Sequence, residues 1–196
     1  TKRQLIYRLR RRTDEVEQAI RKYATEPLRV LVDVGTADGL MLEELRRRIG
    51  ALTFVGVDLS RDLLRASGDG SIAKVQGDAL FLPVREGRAD VVVATAIIEH
   101  VSDAAQMVQE CFRILRPGGL FVITTPDPVM ERFATVMGLL KETGHQRTYD
   151  LKELRRMFES SGFSILEARK FMFSPVGFPA ERTIESVLAR IPVSLA

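Results

Sequence analysis

Apolar positions along the chain recur in two rhythms. Short runs rich in β-branched residues, at 28–34, 53–58, 72–76, 90–95, 120–125 and 163–173, read as buried strands. Amphipathic stretches lie between most of them. Leucine repeats at helical spacing over 40–48, and Ser60 and Asp62 are candidate caps for a short helix carrying Leu63 and Leu64. Ser102 is the candidate cap of a helix running to about Leu115, where Arg116-Pro117-Gly118-Gly119 reads as a stop. The alternation predicts repeated βα units, and therefore a mostly parallel sheet covered by helices on both faces, a three-layer α/β fold.

The rhythm changes at both ends. Leu5, Ile6 and Leu9, with Val16, Ile20 and Tyr23 further on, form the apolar stripe of an N-terminal helix, and residues 1–26 read as a basic helical segment ahead of a domain at 27–196. After the fifth strand, Pro126 and Pro128 interrupt the pattern. Residues 130–141 then predict an extra helix with Phe133, Val136, Met137 and Leu140 on one side, inside an insertion at 127–149. Asp150 and Glu153 form a capping box for the next helix, which ends near Gly162. Insertions at strand ends of an open sheet are where substrate contacts usually lie.

The most informative stretch is 30–40, an apolar strand, a glycine-rich turn and a helix start. Gly35 and Gly39 allow a tight turn and close approach of a ligand, which would meet backbone N–H groups and the positive end of the helix. The alternative is an ordinary strand-to-helix turn. A dinucleotide fingerprint beginning at Gly35 needs glycine or alanine at position 40, where Leu40 stands, so NAD is disfavoured. No G-x-x-x-x-G-K-[ST] run occurs, which excludes a P-loop nucleotidase. Asp58 closes the second strand and can accept both hydroxyl hydrogens of a ribose, or serve as a helix cap. Asp78 follows the third strand, where its carboxylate and the Ala79 N–H can read an adenine edge, or fill a turn position.

The succession Asp33-x-Gly35-x-Ala37-x-Gly39, Asp58, Gly77-Asp78-Ala79, 90–101 ending in Glu99-His100-Val101, and Leu115-Arg-Pro-Gly-Gly-Leu-Phe-Val-Ile resembles the class I S-adenosylmethionine-dependent methyltransferases. It is most similar to the branch that includes the ubiquinone and menaquinone biosynthesis enzymes. The resemblance covers residues 28 to about 170 and implies a Rossmann-like methyltransferase sheet, its final strand expected to be missing from the chain. It also implies the cofactor, S-adenosylmethionine. Gly35, Thr36 and Gly39 would line its methionine part, with Asp33 shaping the turn. Asp58 would hold the ribose, Leu59 would pack on the adenine, and Asp78 with Ala79 would bind the amino edge. Ala94 and Thr95 would face the amino-acid end and the methyl group. One departure stands out: family members usually carry glycine where this chain has Ala37.

Catalytic candidates are His100 and His145. Each can act as a general base near neutral pH, or can satisfy local backbone groups. Two histidines and one cysteine make a zinc site improbable, and Asp127 is the sole nominee for a magnesium site, so no metal is expected. Phe171, Met172, Phe173, Phe178 and the aliphatics of 184–195 either shelter a lipophilic acceptor or pack as core.

Composition supports one domain: 196 residues with 45% hydrophobic and 28% charged residues. The single cysteine excludes an internal disulfide and fits a reducing, cytoplasmic compartment. No apolar run reaches a membrane span and no signal core is present, while a chain beginning at Thr1 is expected to lack some preceding residues. Net charge is +3, but Lys2, Arg3, Arg8, Arg10, Arg11 and Arg12 lie among the first twelve residues without an acid. That arm suggests nucleic acid, anionic lipid or an acidic partner, or is simply the solvated face of its helix. The expected reaction is methyl transfer to a small-molecule acceptor. Its rivals are a non-catalytic cofactor-binding sensor or scaffold and an RNA methyltransferase, the latter disfavoured because no Asn-Pro-Pro-Tyr type signature follows the fourth strand. Oligomeric state is left open.

Overall fold

The computed structural model describes residues 2–50, 52–66, 72–126 and 147–171. Among the described residues, five strands form one sheet: β1 (Val30–Val34), β2 (Thr53–Asp58), β3 (Ala73–Gln76), β4 (Ala89–Thr95) and β5 (Leu115–Thr124). Their order is β3-β2-β1-β4-β5, and every pair is parallel. The helices are α1 (Lys2–Tyr23), α2 (Leu40–Ile49), α3 (Arg61–Arg65), α4 (Ala104–Ile114) and α5 (Leu151–Ser160). Strand residues alternate between the faces, and each face has its own core. Leu31, Phe54, Val91 and Val93 pack with Leu42 and Leu45 of α2 and with Val16 and Ile20 of α1. Val32, Val34, Val57 and Val92 pack with Met107, Val108 and Cys111 of α4 and with Leu154 and Phe158 of α5. Both faces being covered explains why the strands are runs of valine and not alternating apolar and polar residues.

Helix α1 runs antiparallel to the strands. Its C-terminal side lies at their N-terminal ends, where the Thr25 carbonyl accepts a hydrogen bond from Arg116 at 2.9 Å. Asp90, the second residue of β4, organises that end of the sheet: its Oδ2 accepts the N–H groups of Arg29 and Val30, each at 2.8 Å, and its Oδ1 pairs with Arg116. These donors hold the Asp90 carboxyl below its usual range against the opposing effect of burial. Asp90→Ala strands two backbone donors and a guanidinium, so it is expected to cost about 2 kcal/mol in urea denaturation. An unchanged midpoint would show that water replaces the carboxylate.

Several boundaries differ from the sequence reading. The cap of α4 is Asp103 and not Ser102, because Asp103 is the extended residue whose Oδ1 reaches the Gln106 N–H at 3.0 Å. The Arg116-Pro117-Gly118-Gly119 run does not lie between a helix and a strand. It bulges out of β5, so that Ala89 pairs with Leu115 and Val91 with Leu120. No strand forms over 163–171. Phe163 instead packs edge-on against Phe112, with ring centroids 5.0 Å apart, while Glu167 binds Lys22 and Tyr23 of α1. The Ser60 cap of α3 and the Asp150–Glu153 capping box of α5 form as expected. The insertion helix at 130–141, His145, Asp127 and the apolar residues from Met172 onward lie outside the described residues.

The N-terminal stripe is also revised. Val16 and Ile20 are buried, but Leu5 and Ile6 are exposed, and Arg11 is buried where a solvated face was expected. Among the described residues, no helix is long and apolar enough to cross a membrane.

Candidate functional site

The sheet reverses direction of growth at β1. The chain moves outward through β2 and β3, then returns to place β4 on the other side of β1. Loops leaving the carboxyl ends of β1 and β4 therefore diverge and leave a crevice, the usual ligand position in an open parallel sheet.

Gly35 and Gly39 take φ of +76° and +85°, which an L side chain rarely adopts. Space is short as well: a Cβ on Gly35 would sit 2.8 Å from Ile97. The turn is stitched to β2, since the N–H groups of Gly35 and Thr36 both donate to the Val57 carbonyl, at 2.8 and 3.1 Å. Thr36 is buried, and its side chain lies over Gly56, where a Cβ would be 2.6 Å away. Ala37 occupies the left-handed region at φ +51°, so the residue that departs from the family pattern keeps the backbone geometry that favours glycine.

Asp58 joins the two loops. Its Oδ2 accepts the Ala37 N–H and its Oδ1 accepts the Ser60 N–H, both at 2.8 Å. It is not the cap of α3, a role taken by the Ser60 hydroxyl. Each carboxylate oxygen has capacity for a second donor, so fixed orientation and ligand binding are compatible. The Gly77 N–H donates to the Asp58 carbonyl at 3.0 Å and brings the third loop alongside. There the Asp78 Oδ1 accepts the Leu80 N–H at 2.9 Å, with Ala79 between them. Leu59 is 67% exposed beside these loops.

Asp33, in β1, lies beside Thr36 of the turn. Only 1% of it is exposed, and its carboxylate makes no close hydrogen bond, the Thr36 hydroxyl of the turn being the donor beside it. Burial pushes its pKa up to about 7; the Thr36 hydroxyl draws it partly back, and Asp58 adds to the rise. A carboxyl so enclosed is costly to ionise until a cation or a further donor reaches it. Ala94 turns its side chain into the core beneath α4, so any part it takes at the strand end is through its backbone. Thr95 faces the other side, its hydroxyl 3.4 Å from Met41 Sδ.

Of the two candidate bases, only His100 can be placed, and its side chain is exposed. Its neighbour Glu99 is the buried member of the pair, with Oε2 accepting from the Thr125 hydroxyl at 3.3 Å. Opposite Glu99 lies a group that the sequence reading treated as solvated. Arg12 of α1 is half-buried, and burial and then Arg8 hold its pKa below the ordinary value while Glu99 opposes them. Arg8 and Arg12 continue the stripe of Val16 and Ile20 toward the strand ends, and that four-residue spacing was the available signal. Lys74 was also missed; nothing in the pattern of β3 marks it.

The methyltransferase domain family matches residues 2–168. The chain belongs to that family. Among relatives of this methyltransferase domain, a ubiquinone biosynthesis O-methyltransferase of Methylobacterium nodulans is 30% identical over 162 residues, covering 75% of this chain and 64% of that protein. A malonyl-[acyl-carrier protein] O-methyltransferase of Coxiella burnetii is 29% identical over 139 residues, covering 68% of this chain and 46% of its own. The chain spans from about a third to about two thirds of the length of the curated relatives it matches. The crystal structure of an S-adenosylmethionine-dependent methyltransferase from Mesorhizobium loti shares the fold, with a TM-score of 0.62 at 21% identity, covering 88% of this chain and 92% of that one.

Proposed function

We propose that this methyltransferase domain binds S-adenosylmethionine across the carboxyl ends of β1, β2 and β4 and transfers its methyl group to a small-molecule acceptor. The observation that carries the reading is the Asp58 carboxylate, held by two backbone N–H groups beside a left-handed glycine turn. The cofactor supplies a sulfonium methyl, an electrophile that needs no acid to release its thioether.

The residues present fit that group. Asp58 takes the two ribose hydroxyls, and Leu59, Asp78 and Ala79 border the adenine. Gly35, Thr36 and Gly39 leave room for the amino-acid part, and Asp33, buried with only the Thr36 hydroxyl beside it, suits an ammonium there. Thr95 lines the end of β4. Arg12, half-buried and attracted by Glu99, suits a carboxylate at the same rim. The remaining work is positioning: the chain holds the acceptor in line with the methyl group and keeps water out. A base is required only when the acceptor is weakly acidic, and His100 and His145 remain the nominees.

The relatives named for ubiquinone biosynthesis support a small and lipophilic acceptor over nucleic acid. Calorimetry with S-adenosylmethionine, S-adenosylhomocysteine and NAD tests the cofactor reading, with binding expected for the first two alone. Binding of NAD in their place would overturn it. Label transfer from methyl-labelled cofactor to a panel of phenolic, carboxylic and RNA acceptors tests the rest. Transfer to RNA alone would overturn the small-molecule acceptor.

A further inference from the structure

We infer that Lys74 is a positioning residue for the cofactor turn, acting through the Asp38–Gly39 peptide. The inference rests on the cofactor reading above. Lys74 stands in edge strand β3 opposite Gly56 of β2, so it shares a sheet face with Gly56 and, one strand further, with Asp33. Its side chain runs on beneath the turn. Lys74 Cε lies 2.8 Å from where a Cβ on Gly39 would stand, and Lys74 Nζ donates to the Asp38 carbonyl at 2.6 Å. The absent side chain at Gly39 thus meets two demands, the left-handed φ and a passage for this ammonium.

The turn needs such help. Ala37 stands in the left-handed region without being glycine, a conformation that L residues hold only when their surroundings over-determine it. Two contacts from other strands do so from either side: Asp58 fixes the Ala37 N–H, and Lys74 fixes the carbonyl one residue on. Within the turn, the Gly39 N–H closes on the Thr36 carbonyl at 2.9 Å. The tilt of the 38–39 peptide therefore sets where the N–H groups at the start of α2 point. Lys74 is not there to stabilise α2, because a cation beside a helix N-terminus opposes the helix dipole. The charge-assisted bond to the Asp38 carbonyl offsets this cost.

Lys74→Met keeps the aliphatic stem and removes the ammonium. In the full chain, its dissociation constant for S-adenosylhomocysteine in calorimetry is expected to rise about tenfold, the scale of one hydrogen bond to a charged group. The thermal midpoint without ligand should stay close to that of the parent. Lys74→Cys treated with bromoethylamine restores an ammonium at nearly the original reach, and should recover most of the affinity. The same variant treated with iodoacetamide should not. Cys111 does not compete, being buried with its thiol pushed up to about 12. This arm also decides the matter if Lys74→Met fails to fold. Parental affinity in Lys74→Met, or equal affinity in the two alkylated forms, would overturn the role of Lys74 alone. A parent chain that binds neither S-adenosylmethionine nor S-adenosylhomocysteine would overturn the cofactor reading and this role with it.

Discussion

Asp33→Asn is expected to free the folded chain from a penalty that grows with pH. An unfolded aspartate ionises near 3.8, whereas the folded Asp33 holds its proton to about 7 because burial outweighs the help of the Thr36 hydroxyl. Below both values the two states are protonated alike and nothing is lost. Between them the folded state binds the extra proton, so stability falls as pH rises, and above pH 7 the loss is complete. Three pH units correspond to on the order of 4 kcal/mol. Urea denaturation of parent and variant should therefore give curves that separate from about pH 4 to pH 7 and run parallel above that. Curves that stay parallel throughout would mean that Asp33 is solvated or bonded in the folded chain. The same variant should bind the cofactor more weakly, since a neutral amide cannot balance an ammonium. In the parent at pH 6, that binding should release a proton, visible as a heat that varies with the ionisation enthalpy of the buffer. Stability sacrificed at a buried acid and regained on ligand binding is the signature of a receptor site.

Asp58→Ala should lower cofactor affinity by about 3 kcal/mol, on the order of 100-fold, the range for hydrogen bonds to a charged acceptor. Two losses combine. The ribose hydroxyls lose their acceptor, and the N–H groups of Ala37 and Ser60 lose the oxygens that set the two loops at their present spacing. Asp58→Asn separates them. An amide oxygen can still accept one of the backbone N–H groups, so the loops should stay in place while the ribose contact weakens. Calorimetry with S-adenosylhomocysteine reads the affinity. Normal binding by a folded Asp58→Ala would leave the carboxylate as a loop staple only.

Much of the architecture was legible because strands and helices announce themselves by local periodicity. Valine runs at β1, β2 and β4 can be satisfied only by burial on both faces, and that condition alone dictates a covered parallel sheet. The glycine turn and Asp58 were legible for a related reason: each lies at the end of its own strand, and parallel pairing of β1 with β2 must bring those ends together. The stretch at 163–171 misled because an apolar run does not say whether a ladder or an aromatic cluster will receive it. Phe163 met Phe112, Phe121 and Phe158, and the backbone beyond it was left outside the sheet.

What the sequence determined by itself was therefore the alternation of elements, the sheet class, and the acidic and glycine positions at the strand ends. Those follow from interactions within a few residues or between adjacent strands. Tertiary structure alone decided that Asp33 is buried with only the Thr36 hydroxyl beside it, that Ala94 turns into the core, that Glu99 and not His100 is enclosed, that Arg12 faces Glu99, and that Lys74 reaches the Asp38 carbonyl. Burial and charge environment depend on groups far apart in the chain. A residue's own type and spacing carry no record of which distant side chain or carbonyl the fold will set against it.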